Sequence, residues 1–443
     1  MRYLWTEGIP PFPEHPLESS VTADVCVIGG GMAGVLTAAE LTRRGADCIL
    51  LDAATPGMGI TKGTTAVLTA QHDQLYHRLA KTYGRNTAAG VLHANLDALR
   101  QIRNLAAHID CDFETRPSVM YSRTGRDALR REAEFLRVIG FPAVYTTAPG
   151  LPFAVVDAVV YPGMAQFHPL KFLRAIAGGL RVYTGTMVRD LKPGAGAVQV
   201  ITDRGTVTAR HAIVATHFPF LNRRGLYFVK QYQRRSYVIA YSGVPDLGCT
   251  AEDAGDGFYL RSYGDLLLVG GGTHRTGRRG TGFAAIEDFV RTHFPGAREH
   301  CRWANQDCVT LDYVPYIGRY SPALPQVLVA TGFCLWGMTT SQVAAGLLAD
   351  AVEGKPNPYA AFFTPHRSLL HPQLFANLGA TLGDFLIPTV RRCPHLGCAL
   401  RYNRAEHSWD CPCHGSRFDY TGHRLSEPAK AALKPCKDFP QEI

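Results

Sequence analysis

Asp24–Asp52 reads DVCVIGGGMAGVLTAAELTRRGADCILLD, and the rest of the chain is best understood outward from it. Asp24–Ile28 is an apolar run of strand length, and Met32–Arg44 carries apolar residues at helical spacing. Between them Gly29, Gly31 and Gly34 complete a G-x-G-x-x-G pattern. After a stop at Gly45, Cys48–Leu51 gives a second apolar run that ends on Asp52. The first glycine makes a tight turn, the second lets the backbone approach a pyrophosphate, and the third lets helix pack on strand. The helix N-terminus then offers its unpaired N–H groups to phosphate, and Asp52 can accept from a ribose hydroxyl. The alternative is a glycine-rich turn in an ordinary α/β domain, but strand, helix, second strand and carboxylate all fall in order.

The chain has 443 residues, long enough for two or three domains, and is 46% hydrophobic and 19% charged, ample for a core. Its first residues, MRYLWTEGIPPFPEHPLESS, lack the apolar stretch of a signal peptide, and no run of 18 apolar residues occurs. The expectation is a cytoplasmic protein with neither a signal peptide nor a membrane span. The net charge of +9 comes from dispersed arginines. No basic stripe is interleaved with aromatics, so nucleic acid is not expected as a partner.

Twelve cysteines are unevenly placed. Cys26, Cys48, Cys111, Cys249, Cys301, Cys308 and Cys334 stand singly, mostly in apolar settings, and read as small buried hydrophobes. Cys393, Cys398, Cys411 and Cys413 crowd into 21 residues beside His395 and His414, which means metal or redox chemistry. Cys436 has no evident partner.

Residues 1–23 are Pro-rich and are expected to wrap the surface. After Asp52, the segment GMGITKGTTAVLTAQHD, with Thr64 and Thr65, offers backbone and hydroxyl donors that continue the cradle. Ala88–Ile109 and Arg126–Ile139 read as amphipathic helices. Val198–Thr202 and Thr206–Ala209 alternate about Asp203-Arg204-Gly205 as a hairpin, and His211–Thr216 reads as a separate buried strand. From about Leu226 to Arg275, strand-like segments suggest a second, antiparallel sheet. Val327–Ala330 and TGFCLWGMTTSQVAAGLLADAV form another strand, glycine loop and helix.

In these motifs the chain resembles the D-amino-acid oxidase family of flavoproteins, which includes glycine and sarcosine oxidases. The likeness rests on VIGGGMAG with Asp52, VIT-DRGTVTARHAIVAT, TLDYVPYIG and ATG-x-x-x-x-GMT, over roughly residues 20–360. It implies an α/β fold, with a Rossmann-like FAD-binding domain (about 20–75, 165–222 and 305–360) under an antiparallel-sheet substrate domain (about 76–164 and 223–304). Together these make residues 1–363. By resemblance Gly29, Gly31 and Gly34 would cradle the pyrophosphate of FAD, Asp52 the adenosine ribose, and the backbone of Val188 the adenine. Thr216 ends the last strand before His217, where the family usually has glycine. Gly332 and Gly337, Met338 and Thr339 would lie beside the isoalloxazine. A helix starting near Met338 would aim its positive end at the flavin and stabilise charge developing there on reduction. A second dinucleotide fingerprint is not found. Gly270–Gly272 leads to THRTGRRG rather than an apolar helix, so an organic substrate, not NAD(P)H, is expected to reduce the flavin.

CPHLGC at Cys393–Cys398 and CPCHGS at Cys411–Ser416 fit either tetrahedral zinc or an iron–sulfur cluster. Their flanks resemble a Rieske [2Fe–2S] domain. That resemblance implies Cys393, His395, Cys411 and His414 as ligands, Cys398–Cys413 as a disulfide, and the Ser416 hydroxyl as a hydrogen-bond donor to the cluster. It also implies a tyrosine where this chain has Phe418. The expected layout is a linker over 364–380 and an abbreviated all-β Rieske subdomain over 381–443. Before Cys393 lie only a helix and one short strand, little of the usual base.

The combination predicts an FAD-dependent oxidoreductase acting on a small-molecule amine or amino acid. Hydride would go to flavin N5, and electrons would leave singly through the cluster to an external one-electron acceptor, protein or quinone. The alternatives are an electron carrier or redox sensor without turnover, and an oxygen-using oxidase with a peripheral cluster. His274 and Arg275, after the GGG strand, could hold an anionic substrate group; the other reading is solvated loop charges.

Overall fold

The computed structural model describes the whole chain except residues 126, 222–223, 256, 390 and 434–443, so Arg126 and Cys436 lie outside the described residues. The opening unit forms the strand Val21–Ile28, the helix Met32–Arg43 and the strand Cys48–Leu51. The two strands run parallel, with Val25 opposite Cys48 and Ile28 opposite Leu51. They are wholly buried toward their C-terminal ends, which is why their sequence is continuously apolar rather than alternating.

Around them lies an eight-stranded sheet. The expected hairpin strand and the expected buried strand after it are one element, Thr206–Val214. Its outer edge has two neighbours: Val198–Thr202 pairs antiparallel with residues 206–209, and Leu324–Thr331 pairs parallel with 212–214. The sequence changes character where the neighbour changes. TVTA alternates beside the hairpin, and AIV is apolar throughout where parallel strands flank both edges. The helix Gly337–Glu353 packs on Met32–Arg43, and Arg44 clamps the pair through Glu40, Asp350 and Glu353 at 2.6–2.7 Å.

The second eight-stranded sheet runs in the order 298–310, 231–242, 266–275, 259–263, 250–253, 118–122, 157–161 and 144–146. Every neighbouring pair is antiparallel except Thr250–Asp253 with Ser118–Ser122. The expected border at residue 305 falls inside the strand Arg298–Thr310, which stays in this sheet to its end. The N-terminal segment does more than wrap the surface. Trp5 is fully buried, and its indole N–H donates to the Thr64 carbonyl at 2.6 Å.

At the C-terminus, Arg401–Asn403, Ser408–Asp410, Arg417–Asp419 and Arg424–Ser426 form a four-stranded antiparallel meander. In place of a sandwich base, the helix Pro372–Leu386 precedes it and crosses the expected linker. The expected short strand before the first cluster loop is reduced to a single bridge between Arg392 and Ala399. No helix among the described residues is long and apolar enough to cross a membrane.

Candidate functional site

A cavity of about 600 Å³ lies between the two large sheets. It can be followed by its contacts. At one end are Thr186–Arg189, among them Val188, joined to the Asp52 segment by the Thr186 N–H on the Asp52 carbonyl at 2.8 Å. The Asp52 carboxylate accepts from the Gly30 N–H at 2.6 Å and the Ala54 N–H at 2.7 Å. Burial pushes this carboxyl upward against the pull of those two donors. Gly29 sits at φ +109°, and a Cβ there would stand 2.6 Å from the Ala215 carbonyl oxygen. Thr61 takes the Met32 N–H at the helix start (3.2 Å), and Thr64, Thr65 and Gly63 continue the wall.

Opposite lies the start of the helix Gly337–Glu353, with Gly337, Met338 and Ser341 on the cavity wall. Thr339 is turned inward and accepts the Thr69 N–H at 2.9 Å, while Gly332 makes its turn at φ +72° behind the lining. Thr216 and His217 complete this side. His217 takes φ +60°, the left-handed conformation for which glycine is favoured, and its Nε2 lies 3.1 Å from Asp307. Asp307 in turn accepts the Leu335 N–H at 2.6 Å, so a residue unusual in the backbone sense ties three cavity segments together.

The far end is built by Ser118, Glu252, Asp253 and Tyr259 of the second sheet, with Gln71 and Asp73 from the segment before Leu75. Gln71 donates to Glu252 at 3.2 Å and accepts from Ser118 at 3.0 Å. Arg261 reaches this wall but is 1% exposed and spends its guanidinium on Gln166 and the carbonyls of Thr65, Ala66 and Phe167.

His274 and Arg275 are not at the cavity, and the expectation for them is corrected. Ser236 alone faces Gly272 and Thr273 across the strand pair, a bulge with Gly272 at φ +63°. It leaves Thr273 on the cavity wall and carries the next two residues past its edge. His274 stacks on Tyr237 with ring centroids 5.8 Å apart. Arg275 donates to the Pro412 carbonyl (3.1 Å), Asn377 (3.0 Å) and the Cys413 carbonyl (3.5 Å). Sequence alternation cannot reveal a bulge, which is why the pair was misdirected.

Cys393, His395, Cys411 and His414 converge from the two C-terminal loops. Cys393, Cys411 and His414 are at most 2% exposed, and the two imidazoles face each other at 4.9 Å and 87°. Both nitrogens of His395 and Nδ1 of His414 are buried without a hydrogen-bond partner. Two buried thiols and two imidazoles with orphaned buried nitrogens make up the donor set a Rieske cluster requires. The backbone of Phe228 lies against the His414 imidazole, and Nδ1 is the ring nitrogen left without a partner. Burial holds both imidazoles neutral, well below their ordinary range. Cys398 and Cys413 are joined as a disulfide. Ser416 lies against Cys393 and accepts the Ala429 N–H at 3.0 Å.

The cluster loops are seated on the flavoprotein. Gln306, on the cavity wall, donates to the Gly415 carbonyl at 2.9 Å and to Gln233, which donates to the His414 carbonyl at 2.7 Å. Phe218 meets both imidazoles edge-on, each at 6.3 Å. Arg235 of the second sheet forms a buried ion pair with Glu406, which also pairs with Arg417 at 2.6 Å. Residues 424–430 cross over to line the cavity beside Arg189, whose carbonyl takes Lys430 at 2.9 Å. Sequence reading missed Gln233, Arg235, Gln306 and Glu406. The polar alternation of QYQRR was a signal that this strand end meets something other than core.

A two-sheet flavoprotein body carrying a docked iron–sulfur domain defines the class. Residues 24–351 match the family model DAO, FAD dependent oxidoreductase, and residues 384–437 match the Rieske [2Fe-2S] domain. The chain therefore belongs to the DAO-type FAD-dependent oxidoreductases and carries a C-terminal Rieske domain; its cofactors are FAD and a [2Fe–2S] cluster. It is 32% identical to the Rieske 2Fe-2S iron-sulfur protein YhfW of Bacillus subtilis (strain 168), across 97% of this chain and 96% of the relative. It is 26% identical to γ-glutamylputrescine oxidoreductase of Escherichia coli (strain K12), across 80% and 89%. Among solved structures, glycine oxidase from Geobacillus kaustophilus shares the fold at TM-score 0.67 and 23% identity, covering 79% of this chain and 99% of that one.

Phe418 is fully buried in the small core that holds Cys393, Cys411 and the disulfide. A hydroxyl in its place would give the cluster one more donor. Such a bond to a charged acceptor is worth about 1.5–3 kcal/mol, or about 60–130 mV for one electron. Phe418→Tyr is expected to raise the cluster potential within that range, read by EPR-monitored redox titration. An unchanged or lower potential, with the hydroxyl shown to reach sulfur, refutes the assignment.

Proposed function

We propose that the chain is an amine dehydrogenase whose electrons leave through its own cluster to an external one-electron acceptor. The observation that carries this reading is Gln306, one side chain that lines the flavin cavity and holds the second cluster loop. The contact brings the cluster loop to the wall of the flavin cavity, the juxtaposition that a relay from flavin to cluster needs. When bound, FAD supplies a two-electron acceptor and the cluster a one-electron relay. Gly29, Gly31, Gly34 and Asp52 would hold the adenosine diphosphate portion, and Thr64, Thr65, Gly337 and Met338 the flavin end.

The substrate end favours a cation. Asp73, Glu252 and Asp253 line it, while the nearby arginines, Arg261 and Arg235, are engaged with carbonyls and with Glu406. An ammonium group gains there and a free carboxylate meets like charge. The relative named for γ-glutamylputrescine, itself an amine, agrees with this chemistry. The cytoplasm is the proposed location.

The test is an anaerobic panel of amines, diamine conjugates and amino acids, following flavin bleaching and then cluster reduction. A cationic amine is expected to bleach both in sequence. Bleaching by no small molecule, with electrons still exchanged with a protein carrier, supports the relay or sensor instead. Reoxidation by oxygen as fast as by a one-electron acceptor supports the oxidase.

A further inference from the structure

The helix Pro372–Leu386 is inside out. Its polar residues Gln373, Asn377, Thr381 and Asp384 share the other face, and Asn377 and Asp384, 4% and 1% exposed, grip Arg275 at 3.0 Å and Arg278 at 2.8 Å. Its apolar residues point away from the protein. Phe375 and Leu382 are each 65% exposed, Leu386 83%, and Leu378 and Phe385 40%. These positions fall on one helical face, about 22 Å long for 15 residues. The hydrogen bond to Asn377 and the ion pair to the buried Asp384 fix the rotation of the helix, so the outward face is set by the fold. Leu370 extends the face at one end. At the other, the Phe385 ring lies against Gly397, next to Leu396 of the first cluster loop.

We infer that this face is a docking surface for a bilayer containing anionic lipids. Two features select that occupant. The only charge on the helix, Asp384, is turned inward, and the exposed face offers almost no hydrogen-bonding side chain, unlike a protein interface with its regular hydrogen bonds. Around it the chain is basic: between Glu353 and Glu406 there are six Lys and Arg residues and one acid, Asp384. Arg367 is committed to Asp312. Arg392 sits at the C-terminal end of the apolar face, donating to the carbonyls of Phe385, Ile387 and Gly397, with Arg391 beside it. An apolar stripe with a cationic rim is the chemistry of a helix lying in the plane of a membrane surface. The cluster loop at Leu396 would then face the membrane, placing a lipid-soluble electron acceptor within its reach.

The experiment is flotation of the full-length holoprotein with phosphatidylcholine vesicles, with and without phosphatidylglycerol. Flotation is expected with the anionic vesicles, weakening as salt rises. Phe375→Asp/Leu382→Asp should reduce it at least about tenfold while flavin and cluster absorbance stay unchanged. Should that variant misfold, Leu382→Trp replaces it, with quenching of the new fluorescence by brominated lipid as the expected result. No flotation, equal binding to neutral vesicles, or no quenching overturns the proposal. So does a stable dimer that the double substitution dissociates without vesicle binding in the wild type, which assigns the face to a second copy. The oxidation proposed above stands or falls separately, since flotation reads attachment and not turnover.

Discussion

Gly31→Val protein is expected to fold normally and to purify with less than about a tenth of the wild-type flavin. The three glycines of the opening turn differ in what a side chain would meet. At Gly34 a Cβ would sit 1.8 Å from the Gly29 carbonyl oxygen, an overlap with backbone that helix and strand cannot relieve. At Gly31 the nearest atom is Thr61 Oγ1 at 3.6 Å, and the residue lines the open cavity. A Cβ there makes only ordinary contact with Thr61, and the rest of a valine would occupy space assigned to the pyrophosphate. Overpacking of this kind costs about 1–3 kcal/mol, and 1.4 kcal/mol is tenfold in affinity. Absorbance at the flavin band against protein, with a thermal melt, separates the two positions. Gly34→Ala should fail in the melt, and Gly31→Val only in flavin content. Full FAD occupancy in Gly31→Val refutes the cradle.

The second large effect is expected at Glu406. Its side chain is 1% exposed and lies between Arg235 of the flavoprotein and Arg417 of the cluster domain. Glu406→Leu removes the anion and leaves two buried guanidinium groups, of which Arg417 keeps Asp410 at 2.9 Å and Arg235 keeps no carboxylate among the ion pairs of the described residues. Removing one partner of such a pair costs about 3–5 kcal/mol. The cluster domain is expected to melt well before the flavoprotein body, as seen in the visible circular dichroism of the cluster. A single transition at the wild-type temperature rules this out. For the same reason residues 371–443 alone should not fold, since they lose Arg235, Gln233, Gln306 and Arg278 at once.

Acid should have a milder form of the same effect. Burial works to raise the Glu406 carboxyl, but Arg235 and Arg417 outweigh it and hold it below the ordinary glutamate value. A carboxyl lowered in the folded state contributes stability that is complete above its unfolded value and is lost as pH falls through the folded one. Docking should therefore weaken only below the usual glutamate range. Glu406→Gln should flatten that dependence.

The parts legible in sequence were those governed by local periodicity and spacing. The βαβ unit, the helices near residues 85–106 and 127–138, and the two cluster loops all announce themselves within thirty residues. What stayed hidden depends on distant partners. Thr206–Val214 looked like two strands because its neighbours change midway. Arg275 looked like a ligand-binding residue because the bulge opposite Ser236 leaves no mark in composition. The inverted helix has the right period, but only Arg275 and Arg278, a hundred residues earlier, decide which face turns outward.

Residues 424–430 line the same cavity as Gly29 and Asp52, so segments far apart in sequence enclose a single space. Arg424–Ser426 of that lining is also the last strand of the small meander beside the cluster loops. A flavin bound there would be enclosed by a wall that the cluster domain supplies, so loosening that domain is expected to speed flavin loss.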